Sequence, residues 1–148
     1  MRISEKGINL IKKYEAFSSV PYVCPAGLPT IGYGNTYYPN MQKVKMTDKA
    51  ITKDEADVIF KKVLSYFETD VNVYVIPNLK QQQFDALCSF AYNVGIGNFK
   101  SSTLLKKVNA NPNDPTIKAE FLKWNKSKGR VLNGLTKRRN EEANLYFS

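Results

Sequence analysis

The chain has 148 residues, 22 Lys and Arg against 13 Asp and Glu, a formal charge of +9, two Cys and no His. The missing histidine excludes a Ser-His-Asp triad, a Cys-His pair and any histidine-ligated zinc site. Cys24 and Cys88 lie too far apart in sequence for a redox C-x-x-C, and 43% hydrophobic with 24% charged residues is the balance of one ordinary soluble domain.

The N-terminal stretch places Glu5, Lys6, Lys12 and Lys13 among its apolar residues, so it reads as neither signal peptide nor membrane helix. The expectation is a chain that stays in the cytoplasm until another protein releases it. Its positive charge favours a polyanionic partner, whether nucleic acid, anionic lipid or an acidic wall polymer.

Ser4-Glu5 reads as a helix start, with Ile8, Leu10, Ile11 and Tyr14 at helical spacing to about residue 16. From Val20 to Met46, Gly and Pro punctuate short runs of Tyr, Val, Thr and Ile, as in a small antiparallel sheet with tight turns. Ala26-Gly27 is a hairpin turn, and Gly32 and Gly34 allow close backbone approach. Thr52 with Glu55 is a capping box, behind which Ala56, Ile59, Phe60, Val63, Leu64 and Phe67 form one apolar face, so a long helix starts near residue 53. The alternation of Val71, Val73 and Val75 leaves the end of that helix open before Pro77.

Phe84, Leu87, Cys88 and Ala91 predict a further helix closed by Gly95 and Gly97, and Ser101 or Ser102 opens a short one. Asp114-Pro115 reads as an N-cap and first-turn proline, and a last helix runs from about Thr136 to the end. The fold class is therefore α+β: a small sheet lobe over about 15–52, a linking helix over about 53–76, and a helical lobe over about 77–148 that includes the N-terminal helix, all within a single domain.

No acid occurs between residues 16 and 47, so Glu15 stands alone beside the sheet. It follows Ile8 by seven residues and Ile11 by four, on the apolar face of the first helix and at the negative end of its dipole. Both circumstances favour the acid form that a general acid needs, although an acid paired with Lys or Arg would occupy the same place. Five of the nine Tyr fall between residues 14 and 38, which suits either strand packing or stacking on sugar.

Glu15, Tyr22-x-Cys24-x-x-Gly27-x-x-Thr30 and Ile31-Gly32-Tyr33-Gly34 resemble the catalytic segment of the phage-type lysozymes, the endolysin family of T4-like enzymes. Gln83 to Leu87, Phe90 to Gly95, Phe99 and Ser102 to Leu105 look like that family's central helices. Phe121-Leu122-x-Trp124-Asn125, Gly134-Leu135 and Arg138-Arg139-x-x-Glu142 are similar to its C-terminal pattern. The pieces stand in the family's order over almost the whole chain.

The resemblance implies a lysozyme-like fold of two lobes joined by a long helix, and hydrolysis of the β-1,4 bond from N-acetylmuramic acid to N-acetylglucosamine. It casts Glu15 as the acid that protonates the leaving oxygen and Thr30 as the hydroxyl that helps hold the attacking water. The family is generally regarded as inverting. Tyr92, Asn93 and Ser102 match cleft-lining positions and offer an aromatic face and polar groups to a sugar, though the same residues could simply end and cap helices.

Cys24 departs from the T4-like members, which carry aspartate there. An unperturbed thiol has a pKa of about 8.5 and stabilises an oxocarbenium ion less well than a carboxylate. A basic neighbour could make it a thiolate base, Thr30 and a water could act unaided, or the protein could be weakened or inactive. Asn35 stands where members often carry His, a change expected to touch stability. Arg138 and Arg139 are the basic residues expected to reach Glu15, where an arginine contact would favour its carboxylate form.

The resemblance implies a monomeric endolysin that acts on bacterial peptidoglycan for host cell lysis, with no metal or organic cofactor. It would start in the host cytoplasm, reach the wall through a holin-like pore, bind no nucleic acid and insert in no membrane. Three rivals stay open: a lytic transglycosylase resting on Glu15 alone, a wall-binding protein without catalysis, and a nucleic-acid binder. Against the last, the basic residues look scattered and no RNP-like or zinc motif is present.

Overall fold

The computed structural model describes all 148 residues. The chain folds as α1 (Glu5–Glu15), β1 (Ser18–Val23), β2 (Pro29–Gly32), α2 (Lys53–Tyr74), α3 (Gln81–Val94), α4 (Ile96–Ser101), α5 (Thr103–Ala110), α6 (Ile117–Leu122), β3 (Lys126–Ser127), β4 (Arg130–Val131) and α7 (Asn133–Tyr146). Residues 12–66 form one compact unit, and residues 1–11 with 67–148 form another, so α1 and α2 each contribute to both. No helix is long and apolar enough to cross a membrane.

In the smaller unit β1 and β2 are antiparallel, with Tyr22 opposite Thr30 and Val23 opposite Pro29. The turn between them forms as the sequence predicts: Gly27 takes φ of 85°, and its N–H donates to the Cys24 carbonyl at 2.8 Å. The sheet ends in a second tight loop, where Ile31 and Asn35 exchange both backbone hydrogen bonds at 2.9 and 3.0 Å around Gly32 and Gly34. Ile31, Tyr33, Val44, Ala56, Phe60, Val63 and Leu64 are buried. Lys12 covers the Tyr33 ring at 4.9 Å while its ammonium pairs with Asp57 at 2.6 Å.

The capping box at Thr52 and Glu55 closes with both reciprocal bonds at 3.1 Å. The valine alternation that left the end of α2 open resolves as helix through Tyr74, with Val71 buried and Val73 exposed. In the larger unit the core is aromatic, and Phe90 takes Phe121 and Trp124 edge-on at 5.6 and 5.7 Å.

Three expectations are corrected. Gly97 does not close α3; Gly95 does so alone and Gly97 lies inside α4. Asp114 does not begin α6 directly, because its carboxylate accepts the Thr116 N–H at 2.8 Å and the helix follows from Ile117. The last helix begins at Asn133 rather than Thr136, behind a β3–β4 hairpin that has no counterpart among the predicted elements.

Candidate active site

Glu15 is the last residue of α1, and the chain reverses beside it at Ala16, which takes φ of 50°. Its carboxylate lies directly over the backbone of Gly34. A Cβ at Gly34 would fall 1.9 Å from Glu15 Oε2 and 2.7 Å from its Cδ, so only glycine leaves room for the carboxylate. Gly34 also takes φ of 71°, a left-handed conformation that independently favours glycine. Two demands thus meet at one position.

Cys24 and Thr30 come together on the hairpin beside it. Thr30 is buried, with 1% of its surface exposed, and its hydroxyl lies 2.9 Å from the Leu28 carbonyl, so its one hydrogen turns either to that oxygen or to Cys24. Burial pushes the Cys24 thiol up. Hydrogen bonds from the Thr30 hydroxyl and the backbone of Leu28, Ala26 and Gly27 outweigh that and hold it below the ordinary thiol range. The sequence suggested a Lys or Arg as the agent of such a shift; the hairpin supplies hydrogen bonds instead.

Tyr22 belongs to the same group. Burial pushes its phenol above the ordinary value, and the negative charges of Glu15 and Cys24 push it further, so the three side chains share one electrostatic environment. The sequence marked Tyr22 only as one of a tyrosine cluster. Its place opposite Thr30 across the sheet is what brings it to the site.

The remaining candidates lie in the helical unit. Tyr92 is buried near the end of α3 with its ring 5.4 Å from that of Phe67, and Asn93 beside it is half-buried. Ser102 caps α5: its hydroxyl accepts the Leu105 N–H at 3.1 Å and donates to the Phe99 carbonyl at 2.7 Å. That fixes its hydrogen and one lone pair, leaving one lone pair for another donor.

Arg138 and Arg139 are both buried against Glu142. Arg139 Nε lies 2.6 Å from Glu142 Oε1, Arg138 Nε lies 3.3 Å from Oε2, and Ser89 Oγ donates to Oε2 at 2.5 Å. The sequence pattern placed Glu142 three and four residues after the arginines but gave no sign that it anchors both. Nowhere do three or more Cys, Asp or Glu side chains group as metal ligands would.

The family model for phage lysozyme matches residues 12–142. The endolysin of Bacillus phage B103 is 42% identical over 150 residues, covering 100% of this chain and 55% of that protein, so this chain spans about half the length of that relative. An endolysin structure from Escherichia coli O157:H7 phage FAHEc1 superposes with a TM-score of 0.87 at 35% identity, covering 100% of this chain and 94% of the other. The muramidase domain of SpmX from Asticaccaulis excentricus superposes with a TM-score of 0.82 at 31% identity, covering 99% of this chain and 98% of that one.

Proposed function

We propose that this chain, which belongs to the phage lysozyme family, hydrolyses the β-1,4 bond from N-acetylmuramic acid to N-acetylglucosamine in bacterial peptidoglycan and so lyses the host cell. The observation that carries this reading is the Glu15 carboxylate seated on Gly34 in the same unit as the hydrogen-bonded Cys24–Thr30 pair. An acid held against backbone has a fixed direction. A thiol whose ionised form is favoured by hydrogen bonds, beside a hydroxyl, is a place to hold and deprotonate a water.

In the proposed reaction Glu15 gives its proton to the glycosidic oxygen as the bond from C1 breaks and positive charge builds on the sugar ring. A water held by Thr30 attacks C1 from the opposite face and passes a proton to the Cys24 thiolate, so the anomeric configuration inverts. Solvent then returns a proton to Glu15 and takes one from Cys24. Tyr92, Asn93 and Ser102 contact the glycan. The reaction uses no cofactor. The chain works as a monomer that starts in the host cytoplasm, reaches the wall through a holin-like pore, and engages neither nucleic acid nor the membrane interior.

The test is Glu15→Gln on purified peptidoglycan. The change keeps the side chain's size and removes its proton, so cleavage should vanish with the melting temperature nearly unchanged. A folded Glu15→Gln protein that still releases fragments would remove Glu15 from the mechanism.

A further inference from the structure

Three of the 22 basic residues fall within five positions of the sequence and share one hairpin. Lys126, Lys128 and Arg130 lie on the β3–β4 hairpin, and Lys137 follows Thr136 of α7, whose hydroxyl accepts from Asn125 Nδ2 at 3.2 Å at the base of that hairpin; all four are exposed. No acid occurs between Glu120 and Glu141. Lys107 and Lys123 are tied to Glu120 at 3.1 and 2.9 Å, and Lys12 to Asp57, whereas these four cations, like other exposed lysines such as Lys43 and Lys49, form no ion pair. The hairpin is well defined: Leu132 N–H closes its base on the Asn125 carbonyl at 2.9 Å. Its turn is built on the positive φ of Lys128 and Gly129, 51° and 78°.

The arrangement selects the ligand. Lys126 pairs with Val131 and Ser127 with Arg130, so Lys126 and Arg130 stand on opposite faces of the ribbon and cannot converge on one small anion. They can meet successive charges along a chain. Three of the four are lysines, point charges that read charge density rather than the planar geometry an arginine fork reads. No aromatic residue lies between Trp124 and Tyr146, and Trp124 packs on Phe90 at 5.7 Å, so the hairpin has no ring on which bases would stack. Its exposed apolar surface is confined to Val131, too little to enter a bilayer interface.

We infer that the β3–β4 hairpin with Lys137 is a docking surface for an anionic phosphodiester polymer carried on the cell wall, holding the protein near its substrate by charge alone. The choice of a wall polymer rests on the peptidoglycan reading above. Four contacts to a flexible polyanion imply that affinity falls up to roughly fiftyfold between about 50 and 200 mM salt.

The experiment sediments wild type and a Lys126→Gln, Lys128→Asn, Arg130→Gln, Lys137→Gln variant with Gram-positive walls that keep their phosphodiester polymer, and with the same walls after acid has removed it. Wild type should bind the intact walls with that salt dependence. The variant should bind them on the order of tenfold more weakly with a flatter salt response, and both should bind and cleave stripped walls equally. Free poly(glycerol phosphate) should compete wild type off intact walls, a readout that needs no variant.

Equal binding of wild type to intact and stripped walls, or an unchanged variant, would overturn the inference. So would tighter binding at the same salt to a single-stranded oligonucleotide or to vesicles of anionic lipid. Polymer-dependent binding without cleavage of stripped walls would support the docking surface and sink the muramidase reading instead.

Discussion

Replacing Gly34 by Ala tests whether the active site depends on one missing methyl group. The new Cβ would sit 1.9 Å from Glu15 Oε2, where ordinary contact begins at 3.4 Å, so the carboxylate must retreat by about 1.5 Å. A misplacement of about 1 Å in a catalytic group costs on the order of a hundredfold in rate, so kcat on purified peptidoglycan should fall about that far with KM little changed. The backbone at φ of 71° adds strain of about 1 kcal/mol, which lowers the melting temperature by only about 2–4 °C in a chain of this size. Gly129→Ala is the control, because Gly129 has φ of 78° but nothing within 4 Å of the Cβ position. It should lose similar stability and keep full activity on walls stripped of anionic polymer. A Gly34→Ala protein that turns over like wild type, or a Gly129→Ala protein that loses as much rate, would refute the reasoning.

Other outcomes follow from the same geometry. If Cys24 receives the water's proton, Cys24→Ala should lose most activity and Cys24→Asp should keep or raise it, and equal rates in a wall-clearing assay would make the thiol a spectator. Iodoacetamide should modify Cys24 with a lower pH midpoint than it does a free cysteine, because hydrogen bonds favour its thiolate, and Thr30→Val should move that midpoint up. Cys88 is buried and pushed well above the ordinary range, so mass mapping should find it unmodified until the protein unfolds. Glu142→Ala leaves two buried arginines without their shared carboxylate and should destabilise by about 3–5 kcal/mol, a melting shift of roughly 10 °C or more. A loss under about 1 kcal/mol by denaturant titration would contradict that account.

What the sequence revealed was mostly what is decided within a few residues. The Thr52–Glu55 box and the Ser102 cap are local hydrogen-bond patterns, and both form as their spacing implies. The β3–β4 hairpin was not legible because strands of two residues carry no hydrophobic period, and the turn at Lys128-Gly129 is its one local signal. The start of α7 lies before the expected Thr136 because its first two residues are Asn133 and Gly134, poor helix formers that hide a helix start.

The site divides the same way. Gly34 could be recognised as a point of close approach, but that the approaching group is the Glu15 carboxylate depends on the tertiary path of α1. The hydrogen-bonded state of Cys24 likewise comes from a hairpin turn that sets three backbone groups and Thr30 around one sulfur.

Mass spectrometry of the soluble fragments that the unmodified protein releases from purified peptidoglycan addresses the central claim most directly. A muramidase that adds water across the bond yields reducing muramic-acid ends, and that is the expected product. Anhydro-muramic ends would instead mean that the 6-hydroxyl displaces the leaving group and Glu15 acts alone, and an absence of fragments would mean that the chain binds the wall without cutting it.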